Sequence, residues 1–172
     1  MSHLVLLRGA PGAGKTVVGS AFAGSFGWRF IELDEIKRSR GDIRLPDPGA
    51  FVEAGRQARA ALDAGTNVVA EEYFATEEWI QRFLGPTGQI LTSPDLTAVW
   101  LACDGTVATR RKAEQGLMPE NLAATYNAMA AHRFVIANEI VLDTTSQSPE
   151  QVVGAMAAAL TARGLKLVRG DS

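Results

Sequence analysis

The feature that most constrains the fold of this chain is a glycine-rich octet near its start. The octet consists of Gly9, Ala10, Pro11, Gly12, Ala13, Gly14, Lys15 and Thr16. A wholly apolar run, Leu4–Leu7, precedes it, and apolar residues at helical spacing follow it as far as Phe26. Short apolar runs of this kind are typical of strands buried on both faces of a parallel sheet. The octet is therefore predicted to be the turn between a buried strand and the first helix.

The residue types of the octet suit the binding of an anion. Glycines allow the backbone to curl so that several N–H groups point to one place, and a helix that begins there adds the positive end of its dipole. The spacing matches the P-loop pattern, in which the lysine reaches the β- and γ-phosphates and the hydroxyl binds Mg²⁺. We predict that all eight residues bind a nucleoside triphosphate, that Lys15 also acts in catalysis, and that Thr16 is a metal ligand. The alternative is a glycine-rich turn without a ligand, but it would leave Lys15 among N–H groups that repel it.

Short apolar runs continue to alternate with helical patterns along the rest of the chain. Four further strands are predicted, at Arg29–Leu33, Asn67–Ala70, Thr97–Ala102 and Glu139–Leu142. This alternation predicts βαβ units and a mostly parallel sheet between two layers of helices. Because the sequence shows neither an internal repeat nor a long linker, we predict a single α/β domain over residues 1–172.

Capping signals predict where several helices begin and end. The predicted helices start at Asp47-Pro48, Thr76, Asp104, Glu120 and Ser148-Pro149, and they end at Gly65, Leu84, Gln115, Ile136 and Arg163 respectively. Residues 36–46 are predicted to be irregular or one short helix, and residues 85–95 to be a loop. The break at residues 116–119, with basic residues beside it, indicates a small mobile lid over residues 111–122.

The composition excludes several classes of protein. With 47% hydrophobic and 21% charged residues, the 172-residue chain has the usage of a globular domain and not of a disordered protein. Its net charge of −2 argues against general affinity for nucleic acid. The single cysteine, Cys103, excludes an intramolecular disulfide. No apolar run approaches the roughly 20 residues that span a bilayer, and the start of the chain lacks signal-peptide features, so we expect a cytoplasmic protein with no membrane contact.

Acidic residues follow the second and third predicted strands, at the sheet edge where open parallel sheets bind their ligands. Asp34 is our candidate for the base that takes or orients the proton of an acceptor hydroxyl. Its alternative role is to cap a short helix at residues 35–38, and both roles could hold together. A carboxylate is also needed near Mg²⁺. We assign Glu71 to the metal and Glu72 to the acceptor, although neighbours in a strand alternate faces and the sequence does not decide between them.

Basic residues near the predicted lid are candidates for stabilising the transferring phosphoryl group. The candidates for nucleotide binding and catalysis are Arg110, Arg111 and Lys112, late in the helix before the break, and the sequence alone does not choose among them. Arg133 is a further candidate for catalysis. Arg38, one turn after Asp34, and Tyr73 are assigned to the acceptor. The plainer alternatives are a solvated helix face for the arginines and core packing for Tyr73.

Beside the octet, three segments resemble small P-loop kinases of the shikimate, gluconate and adenylate kinase type, and chloramphenicol phosphotransferase in particular. These segments are residues 68–74, 99–105 and 140–145. The resemblance implies a P-loop NTPase fold, with a five-stranded parallel sheet in the order 2-3-1-4-5 and a small helical lid. It also implies ATP with Mg²⁺, transfer to a hydroxyl of a small molecule such as an antibiotic or a sugar-like compound, Asp34 as the base, and Arg110 in the lid near the nucleotide. One departure is the pair Glu71-Glu72, where that family tends to carry aspartates.

Two other functions stay open on the sequence alone. The loop followed by Asp34 and Arg38 also resembles polynucleotide 5′-kinases, although the acidic balance argues against a nucleic-acid substrate. A regulatory nucleotide-binding ATPase would need the same loop but no acceptor. A GTPase is disfavoured because the guanine-reading pattern Asn-Lys-x-Asp is absent. We expect a monomer or a homodimer that acts on a small-molecule hydroxyl acceptor.

Overall fold

The computed structural model describes residues 2–41, 47–85, 95–116 and 122–170. The strands are β1 (Leu4–Arg8), β2 (Arg29–Glu32), β3 (Val68–Glu71), β4 (Leu96–Ala102) and β5 (Ile140–Asp143). The helices are α1 (Lys15–Phe26), α2 (Leu33–Arg40), α3 (Pro48–Asp63), α4 (Glu77–Leu84), α5 (Gly105–Glu114), α6 (Ala123–Ala131) and α7 (Pro149–Ala162). None of the helices in these ranges has the length and apolar character needed to cross a membrane.

The five strands form one parallel sheet in the order β2-β3-β1-β4-β5, which confirms the predicted order. Strand β1 lies at the centre, with Leu4 beside Val68 of β3 and Leu96 of β4. All five residues of β1 are buried. The uninterrupted apolar run is thus explained by helix layers that cover both faces of the sheet.

Alternate residues of β1 belong to two separate cores. Leu4 and Leu6 face the layer of α3 and α4, whereas Val5 and Leu7 face the layer of α1 and α7. In the first layer α3 passes close to the end of α4, because a Cβ on Gly55 would collide with the carbonyl of Phe83. A glycine at this point lets the two helices approach and close the core on that side.

The prediction for the segment after the second strand is wrong in detail. The strand ends at Glu32 and not at Leu33, and an eight-residue helix starts at once. Leu33 is fully buried and Ile36 packs on the same core, so the burial of these two side chains favours a helix although the segment is otherwise charged. Asp34 therefore lies in the first turn of α2 and is not its N-cap, a position that Glu32 occupies. Residues 42–46 lie outside the described ranges.

The helix predicted over residues 120–136 is shorter in the structure. Helix α6 ends at Ala131, because the chain beyond it forms contacts with distant residues. The backbone N–H of Phe134 donates to the Ala75 carbonyl (3.1 Å), and the Phe134 carbonyl accepts from Arg8 (2.7 Å). Most of the predicted loop at 85–95 and residues 117–121 of the predicted lid lie outside the described residues.

The most deeply buried charges lie at the end of β1. The Arg8 side chain is fully buried, pairs with Glu139 and donates to the Phe74 carbonyl (2.9 Å). Arg133 pairs with the other oxygen of Glu139 (3.2 Å) and lies 4.6 Å from the centre of the Trp100 ring. Burial lowers the pKa of Arg8, and the negative charge of Glu139 opposes that effect. Arg8 thus connects the central strand β1 to the segment after β3, through Phe74, and to the segment after α6, through Glu139.

We expect Glu139→Gln to be strongly destabilising. Removal of one partner of a buried ion pair leaves an uncompensated buried charge, which typically costs about 3–5 kcal/mol. Denaturant unfolding at pH 7 should show this loss in the free energy of unfolding. The matched control is Glu78→Gln, which removes an exposed partner of Arg82 and should change stability little. Equal effects of the two variants would contradict the role given to Glu139.

Candidate active site

The glycine-rich octet forms the turn between β1 and α1, as predicted. Gly12 and Gly14 have φ angles of +82° and +92°, which glycine adopts without strain. A Cβ on Gly12 would also collide with the Ala108 carbonyl of α5, so the loop lies directly against that helix. Gly14 occupies the N-cap of α1 and provides no capping side chain. The N–H groups at the start of α1 are thus left to an external acceptor, as at an anion-binding helix N-terminus.

A buried threonine fixes the octet to the strands beside it. The Thr144 hydroxyl lies 3.0 Å from the Ala13 carbonyl and 3.1 Å from the Ala102 carbonyl. Arg111 of α5 donates to the Thr144 carbonyl (2.6 Å). Thr144 therefore joins the ends of β4 and β5 and helix α5 to the octet.

Lys15, Thr16 and Glu71 form the first charged group at the carboxyl end of the sheet. The Lys15 ammonium lies over the octet, 3.4 Å from the Ala10 carbonyl. The Thr16 hydroxyl donates to Glu71 Oε1 (3.0 Å). Glu71 is the last residue of β3 and is buried, and its burial raises the pKa of its carboxyl to about 7, although the charge of Lys15 opposes the shift. Two hard oxygen donors thus meet beside the loop, a combination that suits Mg²⁺.

Asp34, Lys37 and Glu72 form a second charged group, beside α2. Lys37 Nζ lies 3.4 Å from Asp34 Oδ1 and pairs with Glu72. Its side chain is only 11% exposed, and Nζ lies 5.5 Å from the centre of the Phe51 ring. Burial by itself would lower the pKa of Lys37, but the two carboxylates outweigh it and the pKa is raised. The two groups are neighbours, because Glu71 and Glu72 are consecutive and the charge of Asp34 also acts on Glu71.

The other predicted site residues lie in different surroundings. Arg110 is 69% exposed and lies 4.0 Å from Glu114, away from the contacts described above. Arg38 is 53% exposed and pairs with Glu32 (2.6 Å). The Tyr73 hydroxyl donates to the Met129 carbonyl (2.7 Å), and burial raises its pKa. Arg133 is held by Glu139 and Trp100, as described for the fold. The structure therefore brings Lys15, Thr16, Glu71, Glu72 and Asp34 together. Arg38 adjoins this cluster through a bond to the Asp34 carbonyl (3.1 Å), and the backbone N–H of Tyr73 donates to Glu72 Oε1 (2.7 Å). Arg110 and Arg133 instead pair with Glu114 and Glu139.

Sequence reasoning missed the contacts of Lys37, Arg111 and Thr144. Lys37 follows Asp34 by three residues, so the two would have been placed on one helix face if residues 33–40 had been read as a helix. Arg111 is one of the basic residues beside the predicted lid, but nothing in the sequence indicates its bond to the Thr144 carbonyl. For Thr144 the resemblance over residues 140–145 was a signal, but the sequence gave no indication of its bond to Ala13.

Comparison with known proteins shows the family to which the chain belongs. The family described as chloramphenicol phosphotransferase-like protein matches residues 2–161. A protein of Thermococcus kodakarensis with a provisional adenylate kinase name is 26% identical over 158 residues, which cover 87% of this chain and 81% of that protein.

Solved structures of several kinases share the fold. A sugar kinase from Janibacter sp. HTCC2649 has a TM-score of 0.68 at 20% identity, with 94% of this chain and 95% of that chain covered. A shikimate kinase from Acinetobacter baumannii has a TM-score of 0.66 at 18% identity, with 96% and 97% covered. A gluconokinase from Sinorhizobium meliloti 1021 has a TM-score of 0.63 at 20% identity, with 95% and 98% covered. At these identities the likeness establishes the fold alone.

Glu71 makes the stability of the metal-free protein depend on pH. The pKa of the Glu71 carboxyl is raised from 4.5 to about 7. In the window between these two pH values the folded protein holds a proton that the unfolded chain has lost. The free energy of unfolding contributed by Glu71 therefore falls as the pH rises through the window, by about 3 kcal/mol in all. We expect the free energy of unfolding of Glu71→Gln, compared with that of the wild type at the same pH, to rise by about 2–3 kcal/mol between pH 5 and pH 8.

This prediction is tested by denaturant unfolding of both proteins at the two pH values without magnesium or nucleotide. The exposed carboxylate variant Glu78→Gln is the control, and its difference from the wild type should change little with pH. A Glu71→Gln difference that is the same at pH 5 and pH 8 would show that burial does not raise the pKa of this carboxyl.

Proposed function

We propose a reaction for this chain on the premise that it belongs to the chloramphenicol phosphotransferase-like family and is a P-loop kinase. The reaction is the transfer of the γ-phosphoryl group of ATP to a hydroxyl of a small molecule. The observation that carries the proposal is the meeting of two charged groups at one edge of the sheet. One consists of Lys15, Thr16 and Glu71 beside the phosphate loop, and the other contains the accessible carboxylate of Asp34.

The phosphate loop would bind the triphosphate through its backbone. The free N–H groups at the start of α1 and the helix dipole attract the negative phosphates. The Lys15 ammonium needs only to leave its long contact with the Ala10 carbonyl to reach the β- and γ-phosphates. Because Thr144 fixes the loop from behind, these donors are in place before the nucleotide binds.

The residues present fit a magnesium ion. The hydroxyl of Thr16 and the carboxylate of Glu71 would hold it, directly or through water, since both are oxygen donors at the edge of the phosphate loop. When bound, the ion supplies positive charge to the β- and γ-phosphate oxygens. A nearby cation favours the ionised form of Glu71, which burial otherwise disfavours.

Asp34 would act on the acceptor. Its side chain is 44% exposed, so a hydroxyl can approach the carboxylate. Accepting the hydroxyl proton would make the oxygen a better nucleophile toward the γ-phosphorus, and holding that oxygen in line with the phosphorus would also lower the barrier. Our candidates for further contacts to the acceptor remain Arg38, Glu72 and Tyr73. Our candidates for stabilising the negative charge on the transferring phosphoryl group remain Arg110 and Arg133.

Asp34→Asn should separate chemistry from binding. We expect turnover to fall by about 10²-fold or more, because the amide accepts no proton, while the affinity for MgATP stays nearly unchanged. Phosphate transfer to the acceptor and titration calorimetry with a non-hydrolysable ATP analogue measure the two effects. The control is Asp63→Asn, at the far end of α3. Unchanged turnover in Asp34→Asn would remove Asp34 from the mechanism.

Lys15→Ala should impair binding and catalysis together. We expect at least a roughly tenfold loss of affinity for MgATP and a larger loss of turnover, because the ammonium contacts phosphates in both the ground state and the transition state. Lys166→Ala removes an exposed lysine of the C-terminal segment and should behave as the wild type. If calorimetry found equal ATP affinity with and without Lys15, the assignment of the nucleotide site would be wrong.

The acceptor is found by incubating the protein with MgATP and a panel of compounds and recording the mass gain of one phosphate. The panel contains sugars, hydroxylated acids, hydroxylated antibiotics including chloramphenicol, an oligonucleotide with a free 5′-hydroxyl, and AMP. An alcohol product would support the proposal. Transfer to AMP alone would replace the alcohol with a phosphate acceptor, and protein-stimulated hydrolysis with no product would favour a regulatory ATPase.

A further inference from the structure

Lys37 connects three parts of the molecule at the acceptor side of the candidate site. It belongs to α2, it pairs with Glu72 just after β3, and its ammonium lies over the Phe51 ring of α3. Its second carboxylate partner is Asp34, one turn earlier in the same helix. A lysine side chain that is 11% exposed between two carboxylates is not a solvated surface lysine, since burying an ammonium costs free energy unless partners of opposite charge are close.

The arrangement has a direct consequence for Asp34. Two carboxylates on either side of one ammonium do not repel each other as they would without it. The Asp34 side chain is 44% exposed, and the contacts that hold its carboxylate group come from Lys37, whereas Arg38 bonds to its backbone carbonyl. Without Lys37, Glu72 would repel the Asp34 carboxylate toward solvent, away from the edge of the sheet.

We propose that Lys37 is a positioning residue, which acts through Asp34 by holding its carboxylate at the acceptor side of the phosphate loop. This inference rests on the proposed function, because it assumes that Asp34 receives the proton of the attacking oxygen. Lys37 itself need not touch the nucleotide. Its role differs from that of Lys15, whose ammonium lies over the octet and is directed to the phosphates.

The experiment measures hydrolysis of MgATP with water as the acceptor, so that it needs no identified alcohol. Lys37→Met should lower kcat by about 10- to 100-fold, the scale of loss expected when a reacting group is misplaced. The KM for MgATP should stay within about twofold, because the contacts of Lys37 do not include the octet. Lys37→Arg should recover most of the activity, since a guanidinium can also bridge two carboxylates. Lys166→Met is the matched control, with the same chemical change at an exposed position.

A double-mutant cycle shows whether Lys37 acts through Asp34. In the Asp34→Asn background, Lys37→Met should cause no further loss, because the carboxylate that it positions is already gone. If Lys37→Met lowered kcat in that background by the same factor as in the wild-type background, the proposal would be overturned. So would a raised KM with unchanged kcat, or a Lys37→Met protein as active as Lys166→Met.

The cycle also separates this inference from the proposed function. If Asp34→Asn alone leaves hydrolysis unchanged, the assignment of Asp34 as base fails, and the positioning role fails with it. If Asp34→Asn slows hydrolysis and Lys37→Met does not, only the role of Lys37 fails. Thermal unfolding of Lys37→Met and Lys37→Arg checks stability, and a Lys37→Met protein that is folded at the assay temperature but unrescued by arginine would contradict the proposal.

Discussion

The burial of β1 on both faces is the constraint on which the rest of the structure depends. The strand is paired in parallel with β3 on one side and β4 on the other, so their carboxyl ends meet at one edge. The chain must leave that edge at once into α1, and the turn lies against α5, where only glycine fits at position 12. A site for phosphates therefore arises from backbone geometry, before any side chain is considered.

The charged residues at this edge are buried to different degrees, and the difference has a physical meaning. The side chains of Arg8 and Glu139 are buried and join distant segments, so they contribute to the integrity of the fold. Glu71 is buried without a full counter-charge, which raises its pKa and makes it receptive to a cation. Asp34 is nearly half exposed, as a group that must meet an incoming molecule has to be. The buried and paired Arg8 and Glu139 thus differ from Glu71, which is buried without a full counter-charge, and from Asp34, which is partly exposed.

The sheet order and the phosphate loop could be predicted from the sequence because both depend on local patterns and on a resemblance. An apolar run and a glycine-rich octet follow rules of short range. The start of α2 could not be predicted in the same way, because Leu33 is fixed by burial against elements far along the chain. The end of α6 was missed for a similar reason, since Phe134 bonds to Ala75 and Arg8. Prediction failed where tertiary contacts override local preference.

The same reasoning explains why the proposed acceptor side of the site is harder to infer from the sequence than the proposed nucleotide side. The proposed nucleotide site consists of consecutive residues, whereas Asp34, Lys37 and Glu72 come together only when α2 lies beside the end of β3. Their charges also oppose the reaction, because two carboxylates there would repel a phosphoryl group that carries negative charge. The Lys37 ammonium between them reduces that repulsion. The proposed base Asp34 is therefore accompanied by a cation, Lys37, that offsets the repulsion between a carboxylate and a phosphate.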